Sequence, residues 1–308
     1  MRIALFSVAG LVLVTLLIWL SPPHAIREAF LNDPAYRADR LFKRETPDYN
    51  RNIHRLAQRI EWGDNFTASD FTALGDRIDQ RHGQDITLLF HAVAAGNLSA
   101  IDALLAAGAD TSMLDKTTGS DRNFVYFLTL PGGLLLDMDG INAMLASYLR
   151  HGGDPNATWG DPARNQGNLP AGLALSQNID GLRMVIDAGG DLWKDTINNG
   201  ERYINAMELL ASKMQFEMLD ELIDEGWFDE RGQAELHTFM RSLGGYAQRG
   251  DERSRGIQRI AMRVLKCNPH YVETTTQNAA TRRIFKDHWQ DTAPGVIPWD
   301  RILSDEVN

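Results

Sequence analysis

The sequence TLLFHA at Thr87–Ala92 is followed by GNL at Gly96–Leu98 and by LLAAGAD at Leu104–Asp110. Apolar residues in this stretch recur three and four positions apart, which gives each of two short helices one buried stripe. Gly108 follows the second apolar run, and glycine is typical of a left-handed helix end, where a side chain would be strained. The stretch therefore predicts a pair of antiparallel helices that closes on a glycine turn.

The same pattern recurs three times further along the chain. The offset from Thr87 to Gly108 is 21 residues, and laying it behind the glycines at 152, 189 and 226 places three further starts at Pro131, Asn168 and Asn205. The four starts are 44, 37 and 37 residues apart, and we expect the residues in excess of a standard repeat to lie between repeats. One helix pair cannot cover its own apolar face, so stacked neighbours are needed.

These motifs resemble the ankyrin repeat, whose family pattern is T-P-L-H-x-A, then a glycine, a leucine pair and G-A-D, at a period of about 33 residues. The resemblance implies an all-α ankyrin-repeat solenoid of about four degenerate repeats; the alternative is four unrelated amphipathic hairpins with glycine ends. We place the repeats at 84–230, a helical cap at 48–83, and a second helical cap with a tail at 231–308. Ankyrin arrays are usually binding scaffolds, so the resemblance implies a non-enzymatic protein.

The amino terminus carries an apolar segment. Ile3–Leu20 is an uncharged run of 18 residues, a length that just crosses a bilayer as a helix. A removable signal peptide has a shorter apolar segment and a small-x-small cleavage site, which Ser21–Ala25 matches poorly. We therefore predict a transmembrane anchor at 1–20 in preference to a cleaved signal, followed by a polar tether at 21–47.

Two observations oppose each other on the orientation of this anchor. Arg27, Arg37 and Arg40 follow the apolar run and only Arg2 precedes it, which opposes export of the carboxyl-terminal side. An apolar segment close to Met1 is, however, the usual form of an export signal, and long domains cross largely regardless of charge. We expect a single-pass protein whose bulk is extracytoplasmic, in the periplasm of a bacterium.

The composition and the lack of known motifs argue against several classes of function. A net charge of −10 opposes binding to a nucleic-acid backbone, and no two of the eight histidines have the i, i+4 spacing of helical metal ligands. The sequence lacks the G-x-S-x-G, phosphate-loop and G-x-G-x-x-G motifs. We therefore predict no catalytic, cofactor or metal site. Cys267, the single cysteine, is interpreted as a small core residue in preference to a reactive thiol.

The ankyrin resemblance implies that a partner contacts the turns between repeats and the inner face of the first helices. When the repeats of this chain are aligned with the family pattern, the turn residues at these positions are Lys116, Trp159, Asp161, Arg164, Trp193, Lys194 and Asn199. The inner-helix residues carried over are Asp139, Ser176 and Lys213. Trp159 and Trp193 either anchor an interface or pack over neighbouring turns. The apolar segment 121–130 either lengthens the inner helix of the second repeat, which we favour, or forms an exposed binding element.

Three functions fit this pattern. The first is a membrane-tethered protein-binding scaffold that acts as an immunity protein and neutralises a secreted toxin, by analogy with anchored bacterial ankyrin proteins found beside such toxins. The second is a structural or regulatory adaptor that supports an envelope enzyme. The third is an enzyme with an unusual site in the helices of 231–308. The implied partner is a protein in the first two cases, and the membrane is contacted through residues 3–20.

Overall fold

The computed structural model describes residues 50–82, 85–114, 122–130, 136–229, 231–245, 252–268 and 284. The predicted anchor, tether and tail lie outside these residues. The chain divides into two compact units, 1–154 and 155–308. Among the described residues, no helix is both long enough and apolar enough to cross a membrane.

The first unit contains helices that stack in two rows. Its described elements are α1 (Arg51–Trp62), α2 (Ala68–Thr72), a 3-10 turn (Gly75–Arg77), α3 (Leu88–Ala95), α4 (Leu98–Ala106), α5 (Phe124–Phe127) and α6 (Met138–Arg150). In one row α1 packs on α3 and α3 on α5, and in the other α2 packs on α4 and α4 on α6. First helices thus contact first helices, and second helices contact second helices.

The second unit adds a small sheet to the same arrangement. Its described elements are β1 (Thr158–Gly160), β2 (Asn165–Asn168), α7 (Leu169–Ser176), α8 (Ile179–Asp187), β3 (Ile197–Asn198), β4 (Glu201–Arg202), α9 (Ala206–Ser212), α10 (Phe216–Asp224), α11 (Gln233–Gly244) and α12 (Glu252–Cys267). The first helices α7, α9 and α11 pack in sequence, and α10 packs on α12. This layering is the one that the ankyrin resemblance implies.

The all-α prediction needs one correction, because the turns of the second unit form strands. The order is β1-β2-β3-β4, all antiparallel, with Trp159 opposite Gly167 and Asn165 opposite Asn198. Within each hairpin the strands pair with each other, and β2 pairs with β3 across the two adjacent hairpins, so their backbone N–H and C=O groups bond to one another. Helices still make up most of the described structure.

The start predicted for the second repeat, Pro131, is wrong. Its first helix is α5, where the Asn123 side chain accepts a hydrogen bond from the backbone N–H of Tyr126, 3.4 Å away. Phe124 and Val125 are buried, so the segment 121–130 contains the inner helix itself rather than an extension of it. The starts are therefore 36 and 45 residues apart on either side of Asn123, and the excess residues lie between the two helices of that repeat.

Carboxylates join neighbouring second helices. Asp102 on α4 accepts hydrogen bonds from Ser147 (2.6 Å), Arg150 (2.5 Å) and His151 (2.8 Å) at the end of α6. The Ser147 hydroxyl, followed by the two basic groups, lowers the pKa of Asp102 to about 2 against the cost of burial. In the second unit, arginines on α8 and α12 bind carboxylates on or directly after α10: Arg183, Arg259 and Arg263.

Glycines end the second helices, as predicted. Gly108, Gly152, Gly189 and Gly226 have φ angles of 90°, 83°, 90° and 80°. The turn between the two helices of a pair also needs a left-handed residue. Gly96 fills it after α3 with φ 63°, but Gln177 fills the aligned position after α7 with φ 60°. A side chain in this conformation is strained.

We expect Gln177→Gly to stabilise the protein by about 0.5–1 kcal/mol, because it removes this strain. The Gln177 side chain is exposed, and its hydrogen bond from Gln215 is on the surface, so little is lost with it. Urea denaturation followed by circular dichroism measures the change. The matched control is Gly96→Gln, which should destabilise by a similar amount; a destabilised Gln177→Gly variant would contradict the assigned strain.

Candidate binding groove

A cleft of about 420 Å³ lies between the hairpins and the first helices of the second unit. Helices α7 and α9 contribute Ala171, Gly172, Leu175 and Leu209, and the strands and loops contribute the rest. We call this site the hairpin groove, and its lining residues are Trp159, residues 165–168, Ala171, Gly172, Leu175, residues 196–198, Tyr203, Ile204 and Leu209.

The hairpin groove concentrates exposed apolar side chains. Three large hydrophobic residues are exposed among the described residues: Trp62 (60%), Leu175 (56%) and Tyr203 (59%). Single exposed hydrophobic residues are ordinary, but grouped ones mark binding surfaces. Leu175 and Tyr203 both line the hairpin groove, whereas Trp62 ends α1 in the first unit.

The lining of the groove is uncharged. It contains no Asp, Glu, Lys, Arg, His or Cys side chain. General acid–base and metal chemistry draw mainly on those side chains, whereas concave, mainly apolar surfaces with a few polar groups are typical of binding sites. Elsewhere in the described residues, no group of three or more His, Cys, Asp or Glu could hold a metal ion. Burial raises the pKa of Cys267, which disfavours the reactive thiolate.

Trp159 is held in place by its cross-strand neighbour. A Cβ added to Gly167 would lie 2.3 Å from the Trp159 ring, so the indole rests on the Gly167 backbone. Glycine in a strand commonly marks such a close approach. Any larger residue at 167 would therefore displace the ring that forms one part of the groove.

Helix-capping amides tie the turns to the first helices. Asn168 accepts a hydrogen bond from the Ala171 N–H (2.9 Å) and donates to the carbonyls of Lys194 (2.9 Å) and Asp195 (3.2 Å). By contrast, the Asn198 amide and the Tyr203 hydroxyl make no hydrogen bond within the described part of the chain. These two groups are open to a ligand.

Strand β4 is anchored by a buried carboxylate. Arg202 binds Glu208 on α9 at 2.6 Å and Asp195 at 2.9 Å, and the Glu208 side chain is only 3% exposed. Burial by itself lowers the pKa of Arg202, but the hydrogen bonds and charges of Glu208 and Asp195 outweigh it and raise that pKa. The pair thus fixes the strand that precedes Tyr203.

We expect Glu208→Gln to destabilise the protein by about 1.5 kcal/mol, the typical contribution of a charge-assisted hydrogen bond. Asp195 still holds the guanidinium, which limits the loss. Urea denaturation measures the effect, with the exposed Glu201→Gln as control, which should lie within about 0.5 kcal/mol of the parent protein. Equal effects of the two substitutions would show that the carboxylate of Glu208 does not anchor β4.

Four of the residues predicted to contact a partner lie on the adjacent hairpins. Trp159 lines the groove, and Asp161 holds its own turn by accepting a hydrogen bond from the Ala163 N–H at 2.8 Å. The carbonyl of Arg164 accepts from the Gly200 N–H at 3.0 Å, next to Asn199 at the tip of the other hairpin. The two hairpin tips therefore form one continuous surface beside the groove.

Trp193, which was carried over by register as a possible contact residue, does not lie on this surface. It is 6% exposed, its ring packs on Phe228 at 5.4 Å and Phe239 at 6.3 Å, and its Nε1 donates to the Trp227 carbonyl at 3.2 Å. The Lys194 ammonium is likewise directed inward, to the carbonyl of Asn156 at 2.6 Å. The alternative that Trp193 packs over neighbouring turns is the one observed.

The remaining predicted residues have mixed positions. Asp139 is exposed, but it lies in the first turn of α6, a second helix, so its assignment to an inner helix is wrong. Ser176 ends α7 beside Leu175 and donates to the Leu173 carbonyl at 3.0 Å. Lys213 follows α9 and is half-buried. Lys116 lies outside the described residues.

Leu175 and Tyr203 were not singled out from the sequence, although a signal for Leu175 is present. When the repeats are aligned on their helix starts, the position of Leu175 is occupied by Ala94 in α3, by Ser212 in α9, and by Leu130 after the end of α5. Two of these three residues are small, so packing does not require a large apolar residue at this position. For Tyr203, which lies in a turn, the alignment provides no such contrast.

Comparisons with known proteins find a structural similarity. A crystal structure of an ankyrin repeat domain from Acinetobacter baumannii AYE aligns with 70% of this chain and 98% of its own, at 19% identity and a TM-score of 0.39. No protein-family model and no curated protein matches the sequence. The rows of first and second helices described above, rather than this similarity, define the fold.

Proposed function

We propose that this chain is a protein-binding scaffold that holds its partner in the hairpin groove. The observation that carries the proposal is that two of the three exposed large hydrophobic residues among those described, Leu175 and Tyr203, line one concave, uncharged cleft. Protein interfaces place aromatic and aliphatic anchors in such positions because their burial excludes water. The helices beneath the groove are fixed by caps and ion pairs, so the surface is preorganised.

The proposal includes a membrane tether. Residues 3–20 supply a single-pass anchor, and the two units lie on the extracytoplasmic side. The uncharged run of 18 residues supports this, since its length matches the hydrocarbon core of a bilayer. Carbonate extraction of membranes tests it: the full chain should stay in the pellet, and a variant without residues 3–20 should be released.

The proposed partner is a secreted toxin, which the chain neutralises as an immunity protein. The alternative partner is an envelope enzyme that the chain supports as an adaptor. Both need a rigid surface without chemistry of its own. They differ in outcome: an immunity protein abolishes the activity of its partner, and an adaptor maintains it.

Co-expression with the products of adjacent genes tests the function. The full chain should co-purify with one of them from detergent and should restore growth of cells that produce the toxin. Leu175→Asp should weaken binding about 10-fold or more, because it places a charge in the contact. The control Trp62→Ala, an exposed apolar residue of the other unit, should bind within a factor of about two.

Three outcomes separate the possibilities. Binding that is unaffected by Leu175→Asp and by Tyr203→Ala would place the partner elsewhere on the chain. Binding without growth rescue, together with raised activity of the bound enzyme, would favour the adaptor. Failure to bind any adjacent-gene product would contradict both versions of the proposal.

A further inference from the structure

We infer that the hairpin groove selects a protein segment that inserts a bulky uncharged side chain and hydrogen-bonds through neutral groups. The inference rests on the proposed function and specifies the chemistry of the partner at that site. It is carried by three features of the groove: its charge, its shape and its open polar atoms.

Charge excludes one class of inserted side chain. No charged residue lines the groove, so an inserted carboxylate or ammonium would lose water without gaining a counter-ion. Among the charged residues next to the lining, Arg202 already binds both Asp195 and Glu208, and Arg164 lies 4.0 Å from Asp161 at the hairpin tip. An apolar side chain has no charge to desolvate, and its insertion is favourable because it buries the exposed side chain of Leu175.

Shape leaves room for a large group. Three residues of α7 line the groove: Ala171, Gly172 and Leu175. At the positions aligned with Ala171 and Gly172, α3 has the buried residues Phe90 and His91. Glycine within a helix costs about 0.5–1 kcal/mol relative to alanine, so this glycine is unfavourable for α7 alone. With only a methyl group at Ala171 and no side chain at Gly172, these two positions leave the cleft open.

Polar atoms favour a neutral backbone. The Asn198 amide can donate and accept, and so can the Tyr203 hydroxyl, and neither is used within the described part of the chain. Such groups match the N–H and C=O of an extended segment. They offer no full charge that would favour an acidic or basic side chain.

Selection from a phage-displayed library of random dodecapeptides against the full chain in detergent tests the inference. Peptides that bind should share an aromatic or aliphatic anchor and should carry no charge at the anchor position. Replacing that anchor by Asp should weaken binding about 10-fold or more. On the protein, Leu175→Asp should do the same, while the matched Leu175→Met and Trp62→Ala in the other unit should bind within a factor of about two.

The results distinguish this inference from the proposed function. Peptides that need Leu175 and Tyr203 but insert a conserved Asp, Glu, Lys or Arg would overturn the inference and leave the groove as the binding site. Two outcomes would contradict the inference and also count against the groove as the binding site. In one, the selected peptides bind the Leu175→Asp and Tyr203→Ala variants as tightly as the parent protein; in the other, the library yields no binder.

Discussion

Trp193→Ala is expected to destabilise the protein by about 3–5 kcal/mol, the usual loss when a buried aromatic residue is truncated in a core. The ring contacts Phe228 and Phe239, which are both fully buried and lie 4.8 Å from each other, so removing it opens a cavity within an aromatic cluster. The Arg231 guanidinium, 5.3 Å from the ring centre, loses its contact as well. Chemical denaturation followed by far-ultraviolet circular dichroism measures the change.

Two further variants make this result specific. Trp193→Phe keeps an aromatic ring and should lose less than half as much stability. Trp62→Ala removes an exposed indole and should change the free energy of unfolding by less than about 0.5 kcal/mol. If Trp193→Ala cost under about 1 kcal/mol and instead impaired partner binding, the turn would be an interface and the buried position assigned here would be wrong.

Acidification is expected to destabilise the protein through His91, by about 3 kcal/mol between pH 7 and pH 4. His91 is fully buried in α3, where Nε2 donates a hydrogen bond to the Ala57 carbonyl at 3.0 Å and Nδ1 has no hydrogen-bond partner among the residues that the structure describes. Burial lowers its pKa from 6.5 to about 4, against the opposing effect of the Ala57 carbonyl. The neutral ring, with its proton on Nε2, is therefore the folded form.

The direction follows from the two pKa values. Above pH 6.5 neither state of the protein binds the proton, so the stability is highest there. Between pH 6.5 and about 4 the unfolded chain binds it and the folded chain does not, so the free energy of unfolding falls by about 1.4 kcal/mol per pH unit. The loss is complete once the pH is below the folded pKa.

His91→Gln isolates this contribution, because glutamine can donate to the Ala57 carbonyl but does not titrate. Urea denaturation of both proteins at pH 7, 6 and 5 gives two curves. The parent should lose about 2 kcal/mol more than the variant between pH 7 and pH 5, whatever their stabilities at pH 7. Parallel curves would show that His91 binds a proton equally well in both states.

The sequence predicted the helix pairs well because their determinants are local. The glycines at 108, 152, 189 and 226 all adopt the left-handed conformation, and the starts at Thr87, Asn168 and Asn205 are all N-cap residues. Apolar spacing and capping act within one turn of helix, so they can be recognised without knowing the fold. The predicted start of the second repeat is wrong because it depends on the position of Gly152, whereas the inner helix begins after its N-cap residue, Asn123.

The groove was harder to predict because it depends on contacts between distant residues. Trp159 and Asn199 were placed correctly on the turns, but whether a turn tryptophan is buried depends on what packs against it. For Trp193 this is Phe239 on α11, 46 residues away. The groove around Leu175 likewise depends on Gly172 and on the hairpin strands, which pair across β2 and β3. Neither the burial of Trp193 nor the groove around Leu175 can be recognised within one turn of helix, although the repeat alignment provides a contrast for Leu175.

The capped helix starts separate the hairpins, where we propose that a partner binds, from the helices that support them. Thr87, Asn123, Asn168 and Asn205 each accept a hydrogen bond from an N–H three residues ahead, so the place where a first helix begins is set by its own sequence. Segments that precede these residues can therefore lengthen, shorten or change composition without shifting the helices behind them. Under the proposed function, the sequence of the hairpins could therefore change to suit a different partner while the layered helices stay constant.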